Sequence, residues 1–119
     1  MAQKYIVGDI VMYENRIHTI IDTLRLNNYE LSYVRHPVNQ AELSGFPLTH
    51  EILEKNGWKL SHGFYWSPNE EGAGVGLSSQ TGYVWEAYIG RHLLRSNINN
   101  VSDLQHLLFG LGLNSEMEV

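Results

Sequence analysis

Histidine is the residue type in this sequence with the widest chemical scope, because an imidazole binds metal ions and transfers protons near neutral pH. A zinc site usually begins with two such side chains at helical or strand spacing. No two histidines lie within four residues of each other, and the six stand at positions 18, 36, 50, 62, 92 and 106. The chain also has no cysteine. We therefore expect no metal site and no cofactor.

Acid–base catalysis would need a histidine and a carboxylate held together in a cleft. Asp9 and His18 could face one another across a first hairpin, and Glu86 and His92 could lie near each other in a sheet. Such pairs arise by chance in a domain with 13 acids and 6 histidines. The sequence therefore predicts no catalytic residues, and an enzyme of unknown reaction ranks third among the functions considered.

Tyrosine beside arginine is a second pattern with functional potential, because aromatic rings stack on bases while guanidiniums hold phosphates. Tyr65 and Tyr88 are the tyrosines expected at the surface, and Arg91 and Arg95 follow them in the chain. The formal net charge of -5 opposes non-specific binding to nucleic acid or to an anionic membrane. The same four residues also describe an ordinary surface. Nucleic-acid binding is therefore the alternative hypothesis.

The apolar face of a closing helix gives the leading hypothesis. Leucines recur there at helical spacing, and Phe109 and Leu113 widen the face. If a sheet covers only part of it, the remainder favours a protein partner or a homodimer. A face that is simply core is the ordinary alternative. We expect a non-catalytic protein-interaction or self-association module, with Phe109 and Leu113 as contact residues.

Two groups of elements must position these side chains, and the first is a meander of strands rich in β-branched and aromatic residues. A two-residue turn at Asn27 and Asn28 predicts that Arg25 faces Glu30. The meander is compatible with a small SH3-like barrel. Its three strands are predicted at residues 10–13, 17–26 and 29–34.

The second group begins with a short helix that Thr49 caps and Gly57 follows. A hairpin comes next, and a three-residue turn ending at Gly63 would align Trp58 and Trp66 on one face, towards the core with Trp85. A polar loop at 67–74 precedes further strands at 75–79, 83–89 and 92–95.

The closing helix has a clear start signal, because Asn100 is a suitable cap and Asp103 stands three residues on. Its apolar residues are expected to lie on a sheet. The helical spacing is carried by Val101, Leu104, Leu107, Leu108 and Leu111.

Two blocks of sequence, FPLTHEILEKNGW at 46–58 and VSDLQHLLFGLGL at 101–113, enclose the aromatic hairpin. They resemble the PLT-EILEKNGF stretch and the VHELQNLYFALTGKEL helix of small uncharacterised proteins encoded by gut Bacteroidales and by their phages and mobile elements. GDIVMY at 8–13 stands where those proteins carry a segment resembling IGNYV. Trp58 replaces their usual aromatic residue, and Ser102 and Asp103 replace a His-Glu pair. The resemblance implies a bacterial or phage accessory protein and no particular activity.

Together these patterns predict an α+β fold, in which a strand meander is followed by a helix, an antiparallel sheet and a C-terminal helix packed on the sheet. We expect one domain over 1–119, with possible subregions at 1–38 and 47–113. Nowhere do 18 apolar residues run together, and the start of the chain lacks the apolar run of a secretory signal. The cytoplasm is therefore the expected location, without a membrane partner.

Overall fold

A computed structural model describes residues 3–68 and 74–119, so most of the loop predicted at 67–74 lies outside the described residues. It contains two five-stranded antiparallel sheets and two helices, which confirms the α+β class. In chain order, the elements are β1 (Ile10–Tyr13), β2 (Arg16–Leu24), β3 (Asn28–Leu31), β4 (Val38–Asn39), β5 (Ser44–Gly45), α1 (His50–Lys55), β6 (Lys59–Ser61), β7 (Phe64–Trp66), β8 (Val75–Ser78), β9 (Trp85–Ile89), β10 (His92–Ile98) and α2 (Val101–Gly110).

The chain divides into two compact units. The first unit comprises Met1–Phe46 and Asn100–Glu116, and the second comprises Pro47–Asn99 and Met117–Val119. The closing helix α2 therefore groups with the N-terminal strands, whereas the sequence placed it in the subregion 47–113. No helix in the described part of the chain is long and apolar enough to cross a membrane.

The first unit is built on the expected strand meander, in the order β4-β3-β2-β1-β5. β4 and β5 are the ends of this order, and no pairing joins them within residues 3–68 and 74–119. The small barrel is therefore not confirmed. Strand alternation turns Tyr29 and Leu31 of β3 inward, while Glu30 between them is exposed. The core of the unit consists of Tyr5, Val11, Ile20, Tyr29, Leu31, Val38 and Leu43.

The β2–β3 connection differs from the predicted hairpin. Leu24 pairs with Asn28, and a three-residue turn at Arg25–Asn27 replaces the two-residue turn, so the predicted pairing of Arg25 with Glu30 is wrong. A β-bulge between Ile20 and Asp22 shifts the register of β2, and the hydrophobic pattern does not mark this shift.

Side-chain hydrogen bonds join α2 to the start of β1 and to the segment before it. The Gln105 Oε1 accepts from the Ile10 N–H at 2.9 Å, and its Nε2 donates to the Gly8 carbonyl at 2.9 Å. At the helix start, the Asn100 N–H donates to the Asp103 carboxylate at 3.1 Å, which confirms the predicted cap. The two Gln105 bonds explain why α2 belongs to the first unit although residues 47–99 precede it in the chain.

In the second unit, α1 begins and ends as the sequence predicts. Thr49 Oγ1 accepts a hydrogen bond from the Ile52 N–H at 3.3 Å. After the last turn, Gly57 adopts a φ of 84°, which glycine reaches without strain. The second sheet follows in the order β10-β9-β8-β7-β6.

The turn of the β6–β7 hairpin is shorter than predicted. Lys59 pairs with Trp66, and the two-residue turn consists of His62 (φ 53°) and Gly63 (φ 83°). Positive φ at both central residues suits the twist of a two-residue hairpin, so the three-residue turn is wrong. Trp58 and Trp85 are buried as expected, but Trp66 is only half-buried and faces away from Tyr65.

Candidate binding cleft

The β1–β2 hairpin places an arginine and a histidine on one face of the first sheet. Its two-residue turn consists of Glu14 and Asn15, both with positive φ. Tyr13 therefore pairs with Arg16, and Val11 pairs with His18. Because side chains alternate along a strand, Arg16 and His18 lie on the face that carries Tyr13.

A second turn follows β3 and is anchored to β2. The Ser32 N–H donates to the Thr19 carbonyl at 3.0 Å, and the Thr19 N–H donates to Ser32 Oγ at 3.0 Å. The Val34 N–H then donates to the Leu31 carbonyl at 3.3 Å and closes the turn. Tyr33 occupies the third position of this turn with a φ of 62°. That position normally belongs to glycine or asparagine, so the tyrosine is strained there.

The two turns enclose a cleft of about 480 Å³ on the first unit. Residues from both turns and from the strand β2 line it. We call this site the turn cleft, and its lining consists of Tyr13, Glu14, Arg16, His18, Tyr33, Val34, Arg35 and His36.

Both histidines of the turn cleft are oriented through their Nδ1 atoms. The His18 Nδ1 lies 2.7 Å from the Ser32 carbonyl oxygen, and the His36 Nδ1 lies 3.2 Å from the Pro37 carbonyl oxygen. A carbonyl only accepts hydrogen bonds, so each Nδ1 carries the proton. The Nε2 of each neutral ring is then a hydrogen-bond acceptor.

The Tyr13 ring lies close to both imidazoles. The ring centroids are 5.9 Å apart for Tyr13 and His18, and 6.4 Å apart for Tyr13 and His36, both in edge geometry. Burial and then the hydrogen bond to the Glu14 carboxylate raise the pKa of Tyr13 above its ordinary value. The Glu14 charge is thus held at the Tyr13 hydroxyl.

Two arginines provide the positive charge of the turn cleft. Arg16 and Arg35 are both exposed, and neither guanidinium has an ion-pair partner among the residues that the structure describes. The Tyr33 side chain beside them is 99% exposed. The cleft therefore offers cationic donors and a free aromatic ring.

The Asp9–His18 pair considered from the sequence does not form in the structure. The Asp9 carboxylate is buried and bonds the His106 Nε2 at 2.5 Å, and it also accepts from the Ile6 N–H at 2.9 Å. The His18 Nδ1 donates to the Ser32 carbonyl instead. Within residues 3–68 and 74–119, no three acidic or histidine side chains are grouped as metal ligands.

The tyrosines predicted as a binding patch do not share a surface. Tyr65 is buried, against expectation, and its hydroxyl lies 3.2 Å from the His50 Nδ1. Tyr88 lies on the opposite face of the sheet, where its hydroxyl donates to the Glu86 carboxylate at 2.9 Å. That bond and burial raise the pKa of Tyr88. Of the two arginines, Arg91 is exposed and Arg95 is half-buried.

The predicted contact residues of the closing helix separate in the structure. Phe109 is 65% exposed, whereas Leu113 is half-buried. The Leu113 N–H donates to the Leu108 carbonyl at 2.9 Å, which closes the end of α2 with Gly112 in the left-handed region. Leu113 therefore belongs to the helix cap.

Sequence reasoning missed the turn cleft, although a signal was present. Arg16 and His18 follow the first turn, and the adjacent Arg35 and His36 follow the second. Arginine and histidine thus occur together after two successive turns of one meander.

No family model, curated protein or solved structure matches the chain. The resemblance to the Bacteroidales and phage proteins stays a prediction, and function must be argued from the cleft.

Proposed function

We propose that the protein is a non-catalytic interaction module that binds an acidic segment of a partner protein in the turn cleft. The observation that carries the proposal is that one cleft is lined by two guanidiniums, from Arg16 and Arg35, neither of which has an ion-pair partner among the described residues. We extend the proposal to a bacterial or phage accessory protein, on the sequence resemblance.

The charge distribution supports an anionic ligand at this place. Residues 1–46 and 100–116 carry four Lys and Arg against seven Asp and Glu, a formal net charge of -3. Two of those four cations, Arg16 and Arg35, line the turn cleft, where the opposing acid is Glu14. A local cationic site on an acidic unit favours a ligand that brings negative charge to the cleft.

The other surfaces considered support a function less well. The Glu86 carboxylate beside Tyr88 would repel a phosphate backbone, so we do not propose nucleic-acid binding there. Phe109 is a single exposed ring at the predicted helix contact, which is far smaller than a stable interface of roughly 800 Å² per partner. Self-association through α2 is therefore not the basis of our proposal.

The proposal is tested with a short acetylated and amidated peptide that contains four consecutive glutamates, titrated into ¹⁵N-labelled protein at low salt. We expect the amides of 13–18 and 32–36 to shift. Binding should weaken by about 10-fold in the double variant Arg16→Gln, Arg35→Gln, since two charge-assisted contacts are lost.

Arg25→Gln is the matched control, because Arg25 is exposed in the β2–β3 turn and does not line the cleft. It removes the same charge from the same unit and should leave the affinity unchanged. Equal weakening by Arg25→Gln would show a non-specific charge effect and contradict the proposal. A glutamine peptide of the same length should not shift the cleft amides.

A further inference from the structure

We infer that the anionic group bound in the turn cleft is a phosphate monoester on a side chain of the partner, an inference that rests on the proposed function. Three properties of the cleft support a phosphate monoester on a protein side chain. They are the number of donors, the balance of charge and the free aromatic ring at the rim.

The first property is the number of hydrogen-bond donors. One guanidinium satisfies both oxygens of a carboxylate through two parallel N–H bonds. The turn cleft holds two guanidiniums, from Arg16 and Arg35, which come from different turns and have no ion-pair partner in the described structure. A phosphate monoester presents three strong acceptor oxygens and can be held by both at once.

The second property is the balance of charge. Arg16 and Arg35 carry two positive charges, and neither guanidinium has an ion-pair partner in the described structure. Glu14 is an acid of the lining, and its carboxylate is hydrogen-bonded to the Tyr13 hydroxyl. A phosphate monoester carries about -1.5 to -2 at neutral pH, so it can interact with both guanidiniums, whereas a carboxylate carries a single charge.

The third property is the aromatic rim, which indicates what carries the phosphate. Tyr33 is 99% exposed and strained at φ 62°, so folding alone does not explain a tyrosine there. An exposed ring next to the cleft offers a surface to the residues that flank a modified side chain. A nucleic acid would bring further phosphates against a unit with a formal charge of -3, which disfavours it.

The test uses four probes on the full chain. They are a seven-residue capped peptide with one central phosphoserine, the same peptide with glutamate at that position, inorganic phosphate, and a ten-nucleotide single-stranded DNA. Dissociation constants are measured by NMR titration at fixed ionic strength. We expect the phosphoserine peptide to bind about 10-fold more tightly than the glutamate peptide and more tightly than inorganic phosphate.

Each outcome separates the inference from the function on which it rests. Equal affinity for the phosphoserine and glutamate peptides would overturn the phosphate inference and leave the proposed function standing. If the DNA or inorganic phosphate binds more tightly than the phosphoserine peptide, the phosphate bound in the cleft does not come from a protein side chain. If neither peptide shifts the amide signals of the turn cleft, both proposals are contradicted. Arg35→Gln should reduce the preference for phosphoserine, whereas Arg25→Gln should not.

Discussion

Replacing Tyr33 by glycine should stabilise the first unit and weaken ligand binding at the same time. A non-glycine residue in the left-handed region costs about 1–2 kcal/mol. Glycine also lowers the stability by about 0.4–1 kcal/mol, because it gives the unfolded chain more conformational freedom. Because Tyr33 is 99% exposed, the substitution removes almost no packing. The expected net gain is about 0.5–1 kcal/mol, and Tyr33→Asn should gain a similar amount.

Amide hydrogen exchange in β3 reads the stability of the first unit directly. The amides of Tyr29 and Leu31 lie in the middle of the core and should exchange through opening of that unit. A gain of about 0.5–1 kcal/mol corresponds to roughly 2- to 5-fold slower exchange. In the same samples, the affinity for the phosphoserine peptide should fall by about 5-fold, since a ring contact contributes about 1 kcal/mol.

Tyr83→Gly is the matched control, because Tyr83 is 80% exposed and does not have a positive φ. There glycine relieves no strain and only increases the conformational entropy of the unfolded chain, which lowers the stability of the second unit. Amide exchange in the second unit should therefore become faster. Faster β3 exchange in Tyr33→Gly would refute the strain argument. Stabilisation with unchanged peptide affinity would refute the role of Tyr33 in binding.

Three further changes test other parts of the structure. Tyr5→Phe should stabilise the first unit by about 1 kcal/mol, because the described structure gives its buried hydroxyl no hydrogen-bond partner. Burial also raises the pKa of Tyr5. The stability that protonated Tyr5 contributes in the wild type should therefore be lost as the pH rises through that raised pKa, and Tyr5→Phe should not show this loss. Gly76→Ala should cost about 1–3 kcal/mol and change tryptophan fluorescence, because a Cβ would lie 2.9 Å from the Trp66 ring. Asp9→Asn should cost about 1–3 kcal/mol and speed exchange in α2, because it weakens the bond to His106.

Each of these changes has a control. Tyr29→Phe should destabilise the protein, in contrast to Tyr5→Phe, because the Tyr29 hydroxyl donates to the Gln40 Oε1 at 2.6 Å. Gly110→Ala should be tolerated, since no atom lies within 4 Å of the added Cβ. Asp22→Asn alters an exposed acid of β2 and should leave exchange in α2 unchanged. Matching effects within any of these pairs would contradict the corresponding contact.

Local signals in the sequence predicted the elements well. The cap at Thr49, the glycine after α1 and the acid at Asp103 each satisfy backbone groups within a few residues. Such interactions depend on neighbours in the chain, so they can be inferred from spacing. The strand meander followed from β-branched and aromatic runs for the same reason.

Hairpin registers were the part of the fold that local patterns described poorly. A change of turn length by one residue moves a side chain to the other face, and this reversed the expected positions of Tyr65 and Trp66. In the first unit, the bulge after Ile20 had the same effect on β2. Positive φ at His62 and Gly63 decided one register, and the backbone conformation of histidine is not readable from its type alone.

The sequence by itself determined the α+β class, most of the element types and the helix ends, because these depend on side-chain periodicity and on contacts a few residues apart. Only the tertiary structure decided which distant residues meet. The closing helix joined the first unit through Gln105 and His106, and Arg16 and Arg35 came to line one cleft. Cleft formation depends on strand pairing across the meander, so no local pattern specified the site that carries the proposed function.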